Sequence, residues 1–136
     1  MSAEDNIQTA KDLYAAFNRG DRDAMTAALA ENVEFKSEPG AGEIPWAGVR
    51  HGHSGFLSFM DSLEEHVEFD VFEQLAFLAS ENQVAVVNRM EYTLKKNGQK
   101  VNIPDYIQLL AFDATGKMER AHAVYDPTEL LAAWRR

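Results

Sequence analysis

The sequence predicts an α+β fold, in which helices come first and antiparallel strands follow. Apolar residues recur at helical spacing up to about residue 65, and they alternate with a period of two from Val67 onward. Turn residues divide both regions into short elements, and helices segregated from strands are typical of α+β rather than α/β domains. The chain has 136 residues, about the size of one domain, so we expect a single domain over residues 1–136.

Two helices are predicted at the N-terminus. The first begins at a capping box formed by Ser2 and Asp5 and ends at Gly20, a residue type that commonly stops helices. Asp21 caps a second, shorter helix. The residues that face the core from these two helices are Ile7, Ala10, Leu13, Tyr14 and Phe17, then Ala24, Ala28 and Leu29.

A short strand, a loop and a third helix are predicted next. Residues 33–35, VEF, alternate like a strand, whereas residues 37–50 hold three glycines and two prolines and are predicted to be a loop. Trp46 lies in this loop, where it either closes a cavity or only anchors the loop. The third helix begins near His53 or Ser54, and its apolar face carries Phe56, Phe59, Met60 and Leu63.

Four long antiparallel strands and a C-terminal helix complete the chain. Asn97-Gly98 is a typical hairpin turn between the second and third of these strands. NIPDYIQLLAF, residues 102–112, is the third strand, and MERAHAVYD is the fourth. PTELLAAWRR then begins a short helix with Pro127 at its first position.

Composition excludes several classes of function. The net charge is −9, from 22 acidic and 13 basic residues, which disfavours nucleic acid and anionic membranes as partners. The absence of cysteine excludes disulfides, thiolate catalysis and zinc sites built on cysteine. The polar, acidic N-terminus has no apolar core of the signal-peptide kind, and no apolar run reaches membrane-spanning length. We therefore expect a cytoplasmic protein.

One polar residue interrupts the apolar alternation in each of three strands. These residues are Glu73, Asn88 and Asp105. A buried polar group costs about 1–3 kcal/mol unless it finds a partner, so three of them on core faces indicate a pocket that binds a small molecule. A one-residue bulge would reverse this assignment, and Pro104 lies where a bulge is expected, so Asp105 could instead face solvent.

Tyr14 and the histidines are further candidates. Tyr14 lies on the inner stripe of the first helix, either as a core aromatic residue or as a hydrogen-bond donor to a ligand. His122 lies in the last strand, facing either the cavity as an acid–base group or solvent. The HGH motif at residues 51–53 lacks a carboxylate at a fitting offset, so we predict no metal site. No phosphate-binding or nucleophile-elbow motif is present.

The chain resembles the NTF2-like superfamily, most closely its SnoaL-like and ketosteroid-isomerase-like branch. The resemblance runs through LYAAFNRGDRDAMTAALAENVEF, the tryptophan loop, HGHSGFLSFMDSL and FDATGKMERAHAVYDPTELL. It implies a cone-shaped barrel, with three N-terminal helices packed in a curved antiparallel sheet around a deep apolar pocket, in a homodimer. It does not imply one reaction, because the superfamily includes isomerases, polyketide cyclases, epoxide hydrolases, dehydratases and non-catalytic binders.

The ketosteroid isomerases imply particular site residues. The catalytic base of these enzymes is an aspartate that precedes a proline after the first short strand. Glu38-Pro39 occupies the equivalent position here if the alignment allows one inserted residue. Asp105-Tyr106 is similar to the second acid of these enzymes and the residue that follows it. When positions are instead counted back from Gly116 without a gap, Gln108 takes the place of that acid. Their oxyanion tyrosine corresponds to Leu13 here, with Tyr14 one position away.

Three hypotheses follow for the function. The first is a cofactor-independent isomerase, cyclase or lyase acting on an apolar carbonyl compound. In this enzyme a buried Asp105 is paired with Glu38 or Glu73, while Tyr14, Asn88 or His122 stabilises charge on a carbonyl oxygen. The second is a non-catalytic module that binds a small hydrophobic molecule, and the third is a structural dimer that uses the outer face of the sheet. The predicted ligand contacts are Trp46, Glu73, Asn88, Tyr106 and Gln108.

Overall fold

The computed structural model describes residues 2–136. Over this range the chain forms four helices and six strands. The helices are α1 (Ala3–Asn18), α2 (Arg22–Ala27), α3 (Gly52–His66) and α4 (Thr128–Trp134). The strands are β1 (Leu29–Ser37), β2 (Gly48–His51), β3 (Val67–Ser80), β4 (Gln83–Leu94), β5 (Lys100–Phe112) and β6 (Met118–Val124). The α+β class is confirmed.

The predicted capping signals start and stop α1. The Ser2 side chain accepts a hydrogen bond from the Asp5 amide, and the Asp5 carboxylate accepts one from the Ser2 amide. Gly20 follows the helix with a φ of 70°, a conformation that costs glycine little. The helix buries Ala10, Leu13 and Tyr14 and packs on β3 and β4.

All six strands of the described chain form one curved, unclosed sheet in the order β2-β1-β6-β5-β4-β3. The long strands β3 to β6 pair antiparallel, as predicted. Two expectations for the N-terminal part of the sheet were wrong. The short strand at 33–35 is longer and pairs in parallel with β6, and Gly48–His51, placed in a loop, forms β2 against β1.

A bulge in β5 reverses the predicted orientation of Asp105. Asn88 pairs with Tyr106 and Met90 pairs with Ile103, so β5 has one residue more than β4 between these pairs. The extra residue shifts the alternation by one position, so that Ile103 and Tyr106 both face the core. Asp105 is exposed on the opposite face, and the prediction that it projects into the core was wrong.

Two bulges in β3 likewise reverse the predicted orientation of Glu73. The register between β3 and β4 shifts between Phe69 and Val71 and again between Gln74 and Ala76. Gln74 therefore lies opposite the buried Asn88, while Glu73 is exposed beside Arg89. The expectation that Glu73 faces the core was wrong, whereas Asn88 is completely buried as expected.

The helices lie on one face of the sheet. Two apolar clusters form there: one joins α1, α2 and α3 to the middle of the sheet, and the other joins the Trp46 loop and α4 to β4 and β5. Across residues 2–136 we find no helix with both the length and the apolar character needed to cross a membrane.

Candidate functional site

A cavity lies between the helices and the inner face of the sheet. Its volume is about 110 Å³, whereas one water molecule needs roughly 10–15 Å³ on the same measure. The cavity is therefore large enough for an organic ligand. The three N-terminal helices, the Trp46 loop, the strands and the segment after β6 all contribute to its wall.

Aromatic and thioether side chains make up most of the wall. Six phenylalanines contribute, namely Phe17, Phe35, Phe56, Phe59, Phe69 and Phe72. They are joined by Trp46, four methionines (Met25, Met60, Met90 and Met118) and several aliphatic residues. Aromatic faces and adaptable methionines favour flat apolar ligands of variable shape.

All four tyrosines of the chain line this cavity. Tyr14 comes from α1, Tyr92 from β4, Tyr106 from β5 and Tyr125 from the segment after β6. Burial raises the pKa of Tyr14, Tyr92 and Tyr106 far above the ordinary value of 10.0, and it raises the pKa of Tyr125 as well. All four phenols are therefore neutral hydrogen-bonding groups at physiological pH.

Tyr14 and Gln108 form a polar pair in the apolar wall. The Tyr14 hydroxyl donates to Oε1 of Gln108 at 2.5 Å. Asn88 also lies close to this hydroxyl and partly offsets the rise that burial causes in the pKa of Tyr14. The Gln108 amide retains its N–H groups for another acceptor, and the hydroxyl oxygen retains lone pairs.

Asn88 connects this pair to the bulge in β5. Its Nδ2 donates to the carbonyl oxygens of Tyr106, at 3.1 Å, and Val86, at 3.3 Å. Its Oδ1 accepts from Nε2 of Gln74 at 3.0 Å. A fully buried amide is thus satisfied by bonds that fix the backbone where Tyr106 turns inward.

Tyr106 and Tyr125 form a second polar group in the wall. Their ring centroids are 5.0 Å apart, within the range of favourable aromatic pairs. The Ser37 side chain lies close to Tyr125 and partly offsets the rise that burial causes in the pKa of that phenol.

Trp46 joins the cavity wall to the C-terminal helix. It is buried, and its ring lies 5.8 Å from that of Trp134 and 6.4 Å from that of Tyr92. A bidentate ion pair of Arg135 with Glu43, at 2.8 Å for both bonds, ties the loop to the end of α4. The loop is therefore anchored at both its tryptophan and its acidic residue.

The structure brings five of the nine predicted site residues together. Tyr14, Trp46, Tyr106 and Gln108 line the cavity, and Asn88 lies directly behind them. Their position supports the predicted ligand contacts, whereas their roles in binding stay predictions.

The other four predicted site residues lie outside the cavity. Asp105 is exposed on the outer face of the sheet, and Glu73 is exposed in an ion pair with Arg89 at 3.2 Å. Glu38 follows the last residue of β1 and is exposed, 3.5 Å from the Lys36 ammonium. His122 lies in a groove of about 170 Å³ on the outer face, because Ala121 and Ala123 take the inward positions of β6.

None of the acidic candidates, and not the histidine candidate either, therefore lies in the cavity wall. Among the described residues that line the cavity, none is an aspartate, glutamate, histidine, lysine or arginine. In residues 2–136, no three acidic or histidine side chains are close enough together to hold a metal ion. The arrangement offers hydrogen bonds from phenols and an amide but no carboxylate or imidazole base.

Tyr92 and Tyr125 are cavity residues that the candidate set omitted. A signal for them was present, because Tyr92 shares the alternation of the buried residues of β4 and Tyr125 continues the alternation of Ala121 and Ala123. All four tyrosines lie at inward positions. They indicate the polar side of the cavity more directly than Glu73 and Asp105, the acids that interrupt the apolar alternation.

The SnoaL-like domain family matches residues 10–121 of the sequence. The chain belongs to the SnoaL-like family of the NTF2-like superfamily. A search of curated proteins found no relative. The match runs from within α1 to within β6, and these residues supply nearly the whole cavity wall.

Solved structures of the same fold cover nearly the whole chain. An NTF2-like protein from Burkholderia xenovorans is 28% identical over 98% of each chain, with a TM-score of 0.87. TerC, co-crystallized with polyporic acid, is 19% identical over 97% of this chain and 99% of its own, with a TM-score of 0.85. A candidate polyketide cyclase from Xanthomonas campestris is 21% identical over 97% and 98%, with a TM-score of 0.76.

Proposed function

We propose that this SnoaL-like protein binds a small, uncharged, largely aromatic molecule that carries a carbonyl or hydroxyl oxygen. The observation that carries the proposal is the wall of the cavity. It is aromatic and apolar, and its polar members, four tyrosines and Gln108, are all neutral. Such a wall offers apolar contact over most of a ligand and a few hydrogen bonds at defined points.

The uncharged wall excludes ionic ligands by their cost of desolvation. An isolated charge moved out of water costs several kcal/mol unless an opposite charge compensates it. The described cavity wall offers no such charge. A neutral oxygen, in contrast, needs only one donor, which the Gln108 amide or a tyrosine hydroxyl supplies.

Related structures support a ligand-binding role. TerC, which shares the fold, was crystallized with polyporic acid. The family match covers most of the elements that build the cavity, which supports a ligand-binding role for this part of the chain. The cytoplasmic location and the homodimer stay predictions.

A second candidate function is an isomerase or cyclase reaction on the same ligand class. The Tyr14–Gln108 pair favours it, because the Tyr14 hydroxyl holds the Gln108 amide in an apolar wall and leaves its N–H groups to stabilise negative charge that develops on a substrate oxygen. The name given to the Xanthomonas campestris protein also supports it. Asp105, Glu38, Glu73 and His122 do not contact this cavity, so a proton would have to pass between the substrate and a phenol, an amide or water.

Three naphthalene probes of similar shape test the proposed binding. 2-Acetylnaphthalene offers a neutral carbonyl, 2-ethylnaphthalene has no oxygen, and 2-naphthoate is an anion. Isothermal titration should give the tightest binding for 2-acetylnaphthalene, about three- to tenfold weaker binding for 2-ethylnaphthalene, and at least 100-fold weaker binding for 2-naphthoate. The ketone should also raise the melting temperature in proportion to its occupancy.

Two results would reject the proposal. One is tighter binding of 2-naphthoate than of the ketone, which would require a cation in the site. The other is an unchanged melting temperature at saturating concentrations of both neutral probes. Turnover of a carbonyl substrate, if detected, would favour the isomerase or cyclase over simple binding.

A further inference from the structure

A second recess lies on the outer face of the sheet, away from the cavity. It is the groove of about 170 Å³ that contains His122, and we call it the outer groove. Its lining is mainly polar and comes from three strands, with Glu34 and Lys36 from β1, Gln83 from β4, and Arg120 and His122 from β6. The outer groove therefore differs from the cavity in its chemistry as well as its position.

Strand register brings these side chains to one place on the sheet. Lys36 pairs with His122, and His122 pairs with Leu109, so the three form one row across β1, β6 and β5. Glu34 pairs with Arg120 in the adjacent row of the same face. Neighbouring strands are about 4.8 Å apart and same-face residues about 6.8 Å apart along a strand. Long side chains from both rows are therefore close enough to contact one small ligand.

The charged groups of the outer groove are not neutralised by one another. Arg120, His122 and Glu34 form no ion pair within residues 2–136, although Glu34 and Arg120 are in register. The Lys36 ammonium lies 3.5 Å from Glu38, longer than the roughly 2.7–2.9 Å of a charge-assisted hydrogen bond. The guanidinium, ammonium and imidazole groups thus keep donors for an external acceptor.

The outer groove is basic in an acidic protein. The chain carries a net charge of −9, whereas Arg120 and Lys36 supply two positive charges to this lining against the single carboxylate of Glu34. His122 adds a third basic group, which becomes charged at mildly acidic pH. A recess lined mainly by one sign of charge raises the local concentration of ions of the opposite sign.

We propose that the outer groove binds a small organic oxyanion, which is a carboxylate or a phosphate. Arg120 presents a planar fork of N–H donors that matches two oxygens of either group. Lys36 adds a second charge from the β1 side, and the Gln83 amide adds a neutral donor from the β4 side. This proposal does not rest on the proposed function, because the described linings of the outer groove and the cavity share only Leu110.

Succinate, inorganic phosphate and succinamide are the probes that test this site, because succinamide has the shape of succinate without its charge. Amide chemical shifts of β1 and β6 should follow the binding of succinate or phosphate with a dissociation constant of about 1 mM or tighter. Succinamide should bind at least about tenfold more weakly than succinate, because it cannot form charge-assisted hydrogen bonds with the basic groups. The tighter of the two anions identifies which oxyanion the groove prefers.

Substitutions in the outer groove should change this affinity in opposite directions. Arg120→Gln should weaken binding of the tighter anion at least about fivefold, and Lys36→Gln at least about threefold, because each removes a charged donor. Glu34→Gln should strengthen it about two- to threefold, since it removes the carboxylate that repels the anion. A variant that merely disturbed the fold would not gain affinity.

Arg89→Gln is the matched control, because it makes the same substitution on the same face of the sheet. Glu73 and Glu91 already hold the Arg89 guanidinium, at 3.2 and 2.8 Å. At physiological salt its loss should change anion affinity by less than about twofold, because charges beyond about 8 Å are largely screened.

Two results would overturn the proposal. One is an equal loss of affinity in Arg89→Gln and Arg120→Gln, which would show that anions respond only to the net charge of the protein. The other is the absence of shift changes on β1 and β6 with either anion at about 50 mM. Binding of 2-acetylnaphthalene by Arg120→Gln should match the wild type, and this separate readout distinguishes failure of the outer groove from failure of the proposed function.

Discussion

Tyr14 and Gln108 illustrate how single polar residues define this cavity. Each would be costly alone in an apolar wall, but the hydroxyl of one satisfies the amide oxygen of the other. The pair leaves the Gln108 N–H groups free to meet an oxygen of a ligand. In the function that we propose, the same two residues stabilise the cavity and select the ligand by its oxygen.

This pairing predicts a coupling in stability. Tyr14→Phe leaves the Gln108 oxygen without its donor, and Gln108→Leu leaves a buried hydroxyl with only Asn88 nearby, so each should cost about 1–2 kcal/mol. The double variant should cost less than the sum of the two by about 1 kcal/mol. Urea unfolding of the four proteins measures the coupling, and strictly additive costs would show that the hydrogen bond contributes nothing.

Asp105 and its neighbour Tyr106 provide a matched pair for ligand binding. Asp105→Asn should leave the affinity for 2-acetylnaphthalene within about twofold of wild type, because the side chain is on the outer face. Tyr106→Phe should weaken that affinity about three- to tenfold through the loss of one hydrogen-bonding group. Titration calorimetry compares the two, and a larger loss for Asp105→Asn would place the acid back in the site.

At the scale of single residues, the sequence alone does not determine which face of the sheet a strand side chain points to. Asn88 was assigned correctly because β4 alternates without interruption, with Val84, Val86 and Met90 buried around it. Asp105 and Glu73 were assigned wrongly because one extra residue in a strand reverses the face of those beyond it. Pro104 marked the possibility of a bulge, but its exact place depends on the partner strand.

At the scale of elements, the bulge in β5 decides which residues form the polar side of the cavity. Without it, Asp105 would continue the inward alternation of Ile103. With it, Tyr106, Gln108 and Leu110 face inward. Asn88 fixes this register by donating to the Tyr106 carbonyl, so a residue on β4 controls the orientation of residues on β5.

Removal of Asn88 should therefore affect both stability and binding. Asn88→Ala deletes bonds to the Val86 and Tyr106 carbonyls and leaves the Gln74 amide unpaired, with an expected cost of about 2–3 kcal/mol in the free energy of unfolding. It should also weaken 2-acetylnaphthalene binding under conditions in which the variant remains folded.

Gln83→Ala is a control on the exposed start of the same strand, and it should change stability by less than about 0.5 kcal/mol. Urea unfolding and calorimetry provide the two measurements. Equal, small effects of both variants would show that Asn88 does not hold the register.

The elements themselves were largely predictable, for local reasons. Capping at Ser2 and Asp21, the stop at Gly20 and the turn at Asn97-Gly98 all depend on residues adjacent in sequence. β2 was missed because its four residues follow a loop rich in glycine and proline and are stabilised by pairing with β1. The parallel pairing of β1 with β6 joins distant parts of the chain, and no local signal specifies it.

At the scale of the whole molecule, charge and cavity are separated. The chain places its ionised groups on the outside and all four tyrosines around a neutral interior. Because no carboxylate is among the described residues that line the cavity, the strongly acidic chain is compatible with the apolar ligand that we propose. It also makes the tyrosines a sensitive probe of the folded state.

Alkaline pH should destabilise the protein through these tyrosines. Burial raises each phenol pKa above 10.0, so the folded chain holds protons that the unfolded chain releases. The stability from this effect is fully present below pH 10 and is lost as the pH rises above it, at up to about 1.4 kcal/mol per pH unit for each of the buried Tyr14 and Tyr92.

Tyrosinate absorbance at 295 nm measures this directly. It should remain near zero in the folded protein past pH 10 and then rise together with the loss of helical circular dichroism. A Tyr14→Phe/Tyr92→Phe double variant should show a shallower loss of stability over the same range. Smooth titration of all four tyrosines near pH 10 in a fully folded chain would contradict a buried tyrosine wall.

The central claim is that the cavity holds a neutral aromatic ligand by its oxygen. A crystal structure of the protein grown with 2-acetylnaphthalene tests it most directly. We expect the naphthalene between the phenylalanines and Trp46, with the carbonyl oxygen within 3.2 Å of a tyrosine hydroxyl or the Gln108 amide. A saturated crystal with an empty cavity, or with the ketone bound only on the outer face, would contradict the account.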